Sequence, residues 1–252
     1  MRFSGKKVLI TGGSGAMGQR ISAMIAAQGG EVTVIDLKAP AEGSARFIPG
    51  DLSSCDDLDR LAGDIAGEPW DILINLAGIQ HFGPCEAQAP GHLYATYMIN
   101  LVAPARLIQA VLPGMKARRS GQIANVGSIF GSINFAQFAT YSSSKAGLQA
   151  LSEALRRELE GSGVGVTYIA TRAVRTPLNS EAVNAFAKLT GMNMDEPEAI
   201  AARIVEAIAA DRRDVYLGFP ESLFVKVNGV APGLVDRALR ANDLKARSLF
   251  AQ

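Results

Sequence analysis

"KVLITGGSGAMG", residues 7–18, decides how the rest of the chain is read. It opens as an apolar run of strand formers and passes into a loop holding Gly12, Gly13, Gly15 and Gly18. The helix-patterned stretch "MGQRISAMIAAQG" (17–29) follows at once, so strand, glycine loop and helix stand in the order of a β-α-β unit. Glycine lets a backbone turn tightly and approach a pyrophosphate closely. The helix start beyond it offers free N–H groups and partial positive charge to an anion. Gly12, Ser14, Gly15, Ala16, Met17 and Gly18 are therefore candidate nucleotide contacts.

Moving outward, "EVTVID" (31–36) is a second strand that closes on Asp36, eighteen residues after Gly18. A carboxylate there accepts hydrogen bonds from adenosine ribose hydroxyls and repels a 2′-phosphate, which favours NAD. Lys38 nearby keeps NADP open. "ARFIPGD" (45–51) contains a short third strand and delivers Asp51 and Leu52. Asp51 is placed to meet the adenine edge, or serves as a turn or N-cap residue. Beyond it, "CDDLDRLAGDIAG" (55–67) reads as a helix capped by Ser53 or Ser54, and "DILINLAG" (71–78) as a buried strand. A long helix is expected over 91–118, a strand at "GQIANVGS" (121–128) and another long helix over 139–161. "GVTYIAT" (165–171), a helix over 197–211 and "DVYLG" (214–218) complete the pattern. This alternation predicts an α/β fold, a doubly wound, mostly parallel Rossmann-type sheet with helices on both faces. No linker, repeat or low-complexity tract interrupts residues 1–252, so one domain is expected. In such a sheet ligands bind at the carboxyl ends of the strands.

Composition narrows the function. A hydrophobic fraction of 48% with 19% charged residues is that of a soluble globular protein. A net charge of +1 gives no electrostatic case for nucleic acid. Two cysteines make no disulfide framework, and two histidines leave no metal site to expect. The N-terminus runs straight into a strand without a signal peptide, and no apolar run is expected to span a bilayer. The cytoplasm is the expected location.

"TYSSSKAG" (140–147) sets Tyr141 four residues before Lys145. On a helix these positions share a face. A positive charge beside the phenol would lower its pKa toward the range useful for proton transfer. Taken alone, the spacing also suits a pair on a solvated helix face.

Together these stretches resemble the short-chain dehydrogenase/reductase family in its single-domain, seven-stranded form, from about residue 5 to 220. "TGGSGAMG" (11–18) is similar to the family's T-G-x-x-x-[Ala/Gly]-x-G, and "NLAG" (75–78) resembles N-N-A-G with Leu76 in place of the second asparagine. That match adds Asn75, Ala77 and Gly78 to the cofactor contacts. Asn100, in "YMINLVAPARLI", falls where the family places an asparagine that holds a proton-relay water. "ANVGSIFG" (124–131) puts Ser128 thirteen residues before Tyr141. The resemblance implies an NAD-dependent oxidoreductase that interconverts a secondary alcohol and a ketone. Ser128 would bind the carbonyl oxygen and Tyr141 would give or take the proton. Lys145 would tune Tyr141 and hold a nicotinamide ribose hydroxyl, and Asn100 would fix the water behind it. The helices over 91–118 and 139–161 would pair between subunits in a homodimer or homotetramer.

One stretch departs from the family. In "ATRAVRTPL" (170–178), Arg172 and Ala173 stand where proline and glycine are usual, while Thr176 and Pro177 are kept. The Val174 main chain and the Thr176 hydroxyl are expected to bind the carboxamide. Arg172 is expected to be a structural charge, with contact to a phosphate or an acidic substrate group as the alternative. Residues 177–197 occupy the place of a mobile substrate-covering segment and offer Leu178, Val183, Phe186, Leu189, Met192 and Met194. With Phe130, Phe135 and Phe138 they either pack against the core or a second subunit, or line an apolar cleft that predicts a hydrophobic substrate. An apolar C-terminal extension over 220–252 carries Leu223, Phe224, Val227 and Val230 at helical spacing, broken at Gly229, Pro232 and Gly233. It either packs on the core or a second subunit, or joins that apolar cleft. The competing functions are a nucleotide-sensing regulator without turnover, and an NADPH-dependent 3-oxoacyl or lipid ketone reductase held at a membrane surface by its C-terminal segment.

Overall fold

The structure, a computed structural model, describes residues 2–41 and 45–250; the last two residues of the C-terminal extension lie outside it. Seven strands form one sheet: β1 (Lys7–Thr11), β2 (Glu31–Asp36), β3 (Arg46–Pro49), β4 (Ile72–Asn75), β5 (Gly121–Ser128), β6 (Val164–Thr171) and β7 (Asp214–Tyr216). Their order is β3-β2-β1-β4-β5-β6-β7, and every pairing is parallel. The strands read as unbroken apolar runs because both faces are covered. In β1, Leu9 packs under one layer of helices while Val8 and Ile10 face the other, as strand alternation requires.

The first layer holds α2 (Cys55–Ala66) and α4 (Ala103–Arg118), which bury Leu61, Ile65, Leu107 and Met115. The second holds α1 (Ala16–Ala26) and α7 (Pro197–Ala209), which bury Ile21, Ile25 and Ile204. Each such side chain stabilises the fold by roughly 1.5–3 kcal/mol. Ser54 is the residue that caps α2, its hydroxyl accepting from the Asp57 N–H.

The expected long helix over 91–118 is not one regular helix. α3 (Pro90–Tyr97) runs into a π-helical turn, Met98–Val102, before α4 begins. A wider i→i+5 turn of this kind breaks helical register and is frequent at functional sites. Pro90–Arg118 is also, by length and a hydropathy of 1.3, apolar enough to cross a membrane, which corrects the expectation that no such run exists. Here its apolar side is spent on the sheet, through Leu107, Val111 and Met115.

Two further features follow β6. The covering segment contains a helix of its own, α6 (Glu181–Thr190), capped by Ser180 and ended by Gly191 in the left-handed conformation. Beyond β7, α8 (Glu221–Val230) and α9 (Pro232–Ser248) form a hairpin. Helix α5 (Ala139–Glu158) lies under α3 and the π turn and beside β5. The sheet reverses its winding between β1 and β4, where Thr11 and Asn75 pair side by side. That reversal opens a crevice at the carboxyl ends of the strands.

Candidate active site

A cavity of about 880 Å³ occupies this crevice. Its nucleotide end is made of backbone. Gly12 has φ +71, and a Cβ there would lie 2.8 Å from the Ala77 Cα. A Cβ on Gly18 would collide with the Gly12 carbonyl oxygen and the Gly13 backbone. The two glycines let β1, the loop and α1 close to one another. α1 starts after Gly15 with no side-chain cap and no acidic residue in its first turn. The first N–H groups of a helix have no acceptor within it, so those of Ala16, Met17 and Gly18 are free to meet an anion. Gly12, Ser14, Gly15, Ala16, Met17 and Gly18 all line the cavity. This cradle fits a dinucleotide pyrophosphate.

Asp36 sits at the end of β2 and lines the same end of the cavity. Its carboxylate accepts from the Ser14 N–H at 3.0 Å and the Leu37 N–H at 2.8 Å, while the Ser14 hydroxyl donates to the Lys38 carbonyl. Ser14 thus ties loop to strand rather than offering its hydroxyl outward. Asp51 and Leu52 line the cavity. One Asp51 carboxylate oxygen accepts from both the N–H and the hydroxyl of Ser53, which is the turn role open to it from sequence. Asn75 is not in the lining. It is buried, and its amide donates to Asn125 at 2.8 Å, which in turn donates to Ser152 at 2.8 Å. Its place as a cofactor contact is corrected: it braces the strand ends below Ala77 and Gly78, which do line the cavity. Thr11 was not foreseen in this role, though it opens the glycine motif. Its hydroxyl accepts from the Leu76 and Ala77 N–H groups and sets the course of that loop.

At the catalytic end, Ser128 closes β5 and Tyr141 and Lys145 stand on α5, all three in the cavity wall. Ser128 is buried, and its hydroxyl accepts from the Phe130 N–H at 3.1 Å. Lys145 is 4% exposed and donates to the Val126 carbonyl at 3.1 Å. Burial brings its pKa down to about 8. Burial pushes the Tyr141 phenol up, and the nearby Ser128 hydroxyl opposes that shift. The expected lowering of Tyr141 by Lys145 is therefore not present in this state: desolvation dominates, and the ammonium is turned to a main-chain carbonyl.

Asn100 lies one layer behind, in the π turn and fully buried. Its amide donates to the Ile79 carbonyl and to the Ser144 hydroxyl, each at 2.9 Å, and its oxygen accepts from the Ile79 N–H at 3.0 Å. It locks the loop after β4 onto α5. A Cβ added to Gly78 would meet the Asn100 oxygen at 3.2 Å and the Lys145 nitrogen at 3.4 Å, so the three positions are pressed together.

The far wall is apolar, with Phe130, Phe138, Leu178, Val183 and Met192 in the lining. Of the other side chains foreseen there, Phe186 is packed behind this wall with Phe138, Leu189 is exposed, and Met194 lines a separate shallow pocket. Gln80 was not foreseen. It reaches across the cavity to the Leu178 carbonyl at 2.9 Å and to Asn179 at 3.2 Å, a pairing of residues so far apart in sequence that no local signal marks it.

Val174 and Thr176 line the cavity beside Arg172 and Ala173. The Val174 carbonyl accepts from the Asn179 amide at 2.7 Å, and Val174 forms an isolated β-bridge with Asp195. Arg172 makes a two-pronged pair with the Asp195 carboxylate at 2.6 and 2.8 Å and also reaches Glu221 at 3.1 Å. Its stem lies on Gly218, where a Cβ would come within 2.6 Å of the arginine Cδ. The charge is structural: it clasps the covering segment and the start of α8 onto the end of β6.

Comparison with known proteins follows the same outline. Residues 6–186 match the family model for short chain dehydrogenase. The ketoacyl reductase HetN of Nostoc sp. is 32% identical over 94% of this chain and 89% of its own length. A fatty acyl-CoA reductase of Acinetobacter baylyi is 33% identical over 69% of this chain and 64% of its own. Among solved structures, a short-chain dehydrogenase from Streptomyces avermitilis superposes with a TM-score of 0.78 at 27% identity, covering 96% of this chain and 98% of that one.

Proposed function

The chain belongs to the short-chain dehydrogenase family, an oxidoreductase acting on CH–OH groups with a nicotinamide dinucleotide, and we propose that it interconverts a ketone and a secondary alcohol bearing an apolar chain. The observation that carries this reading is one cavity joining the glycine cradle to Ser128, Tyr141 and Lys145, with an apolar wall beyond. The bound dinucleotide supplies or accepts the hydride. The protein's part is positioning and proton handling. Ser128 holds the carbonyl oxygen, and Tyr141 protonates that oxygen in reduction and deprotonates the hydroxyl in oxidation. Lys145 carries the positive charge that steadies phenolate and a ribose hydroxyl, and Asn100, one layer behind, ties the loop after β4 to α5. A water held in that layer would pass the proton on to solvent.

Asp36 favours NAD, because a carboxylate at the end of β2 can accept from ribose hydroxyls and repels a 2′-phosphate. Val183, Met192 and Phe138 favour an acyl or similarly apolar substrate, in keeping with the names of the ketoacyl and fatty acyl-CoA reductases it resembles. Exposed Tyr94 and Val102, on the helices beside α5, support a homodimer paired through these helices. A series of ketones and secondary alcohols of increasing chain length, assayed with NAD(H) and NADP(H), tests the reading. It requires kcat/KM to rise over several methylenes and to be higher with NAD(H). A flat series, or better turnover of sugars, would remove the apolar substrate, and a preference for NADPH would remove the role of Asp36.

A further inference from the structure

The α8–α9 hairpin packs one side on the protein and leaves several large apolar side chains outside. Val230 is 89% exposed, Leu234 58%, Leu244 57% and Leu223 52%. Helical spacing groups these residues. On α8, Leu223, Lys226 and Val230 share the outward face; on α9, Leu234, Arg237, Ala241 and Lys245 do, with Leu244 at its margin. Lys226, Arg237 and Lys245 are exposed, and neither outward face contains a carboxylate. The three acids of the hairpin lie elsewhere. Glu221 pairs with Arg172, Asp243 is half-buried, and Asp236 is on a flank, one turn from Arg240.

We propose that this face seats the protein on an anionic lipid surface. Leucine and valine between basic side chains, on a helix with a buried opposite side, are what an interfacial helix presents to headgroups and acyl chains. The charge decides against a second copy of the chain, since a two-fold contact would set the same cations against one another. The inner side of the hairpin gives the docking a purpose. Ala246 and Leu249 of the α9 end pack on Val183, Phe186 and Phe130, behind the apolar wall of the cavity. The same hairpin that meets lipid outside thus closes the substrate end inside. Attachment is peripheral and reversible, and the docking stands whether or not the substrate is the one proposed above.

The test is flotation of the full chain with phosphatidylcholine vesicles and with vesicles of equal phosphatidylcholine and phosphatidylglycerol. The protein should float with the anionic vesicles, stay behind with the neutral ones, and be released by high salt, which screens surface charge. Replacing Lys226, Arg237 and Lys245 together by glutamine should weaken the partition by on the order of a hundredfold, about fivefold for each cation. A second readout is independent of those variants. Val230→Cys, in a Cys55→Ser, Cys85→Ser background because both native thiols are exposed, carries an environment-sensitive fluorophore at a site where folding does not depend on the side chain. Its emission should shift to the blue with anionic vesicles only. Equal flotation with both vesicles, no flotation with either, or an unshifted fluorophore would overturn the proposal. So would a molar mass in light scattering that drops when Leu223 and Leu234 become serine, because the face would then belong to a second copy.

Discussion

The turn after β1 and the turn after β6 flank the same cavity but are built from opposite materials. The first is backbone. Its selectivity lies in what is missing, namely Cβ atoms at Gly12 and Gly18, and in helix-start N–H groups that no acceptor among the described residues takes up. The second is held by side chains, with Arg172 reaching Asp195 and Glu221 from far apart in the sequence. A site made of backbone fails when anything is added to it. A clasp made of side chains fails when something is taken away.

The largest effect should come from adding a methyl group to the first turn. In Gly18→Ala the Cβ meets backbone that cannot move aside. Overpacking of that kind costs about 3 kcal/mol, or on the order of a hundredfold in dinucleotide affinity. Calorimetric titration measures it, and unchanged affinity would show that the loop does not hold the phosphates as closely as the geometry requires.

Between the two turns lies a buried charge without a carboxylate partner, and it should respond in the opposite sense. Lys145 has a pKa of about 8 in the fold against an ordinary 10.5, with burial as the cause. The folded value lies below the unfolded one, so the fold disfavours the charged form. The cost is complete below about pH 8 and fades as pH rises toward 10.5, because the unfolded chain then also sheds the proton. Replacing Lys145 by methionine should therefore raise the cofactor-free Tm by several degrees at pH 7, in line with about 3 kcal/mol. The gap should close at high pH, while activity is lost. A variant no more stable than the parent would mean that the ammonium is well solvated.

The smallest change is expected at the second turn. Arg172→Ala strands Asp195 and Glu221, whose side chains are 19% and 22% exposed, and should cost about 1–2 kcal/mol after allowance for that exposure. The covering segment loses the register fixed by the Val174–Asp195 bridge, so KM for the substrate should rise more than kcat falls. Arg172→Lys keeps the charge but not the two-pronged contact, and should recover only part of the loss. Equal falls in kcat and kcat/KM, with KM unchanged, would place Arg172 at the reacting atoms instead.

The same contrast explains what could be read from the sequence. The sheet and the glycine cradle were legible because their rules are local: apolar runs for buried parallel strands, glycines where backbones touch, and Tyr141 and Lys145 one helical turn apart. The π turn at Met98–Val102 was not, because a register slip inside an apolar helix leaves no compositional mark. Asn75 was placed in the cavity by motif alone, whereas its side chain follows the strand pairing to Asn125. The partners of Arg172 and the reach of Gln80 to the covering segment are long-range choices that no window of sequence contains. Helix α6 was hidden by an apolar stretch that also reads as a loose cover.

The most direct measurement is steady-state turnover of Tyr141→Phe on a ketone that the parent reduces, together with dinucleotide binding by the same variant. In the proposed reaction the phenol hands the proton to the reacting oxygen, and the substitution keeps the ring itself. kcat should fall by at least about a hundredfold, the scale of general acid–base catalysis, with dinucleotide affinity unchanged. Parental turnover in that variant would contradict the assignment of Tyr141 and with it the reading of the site.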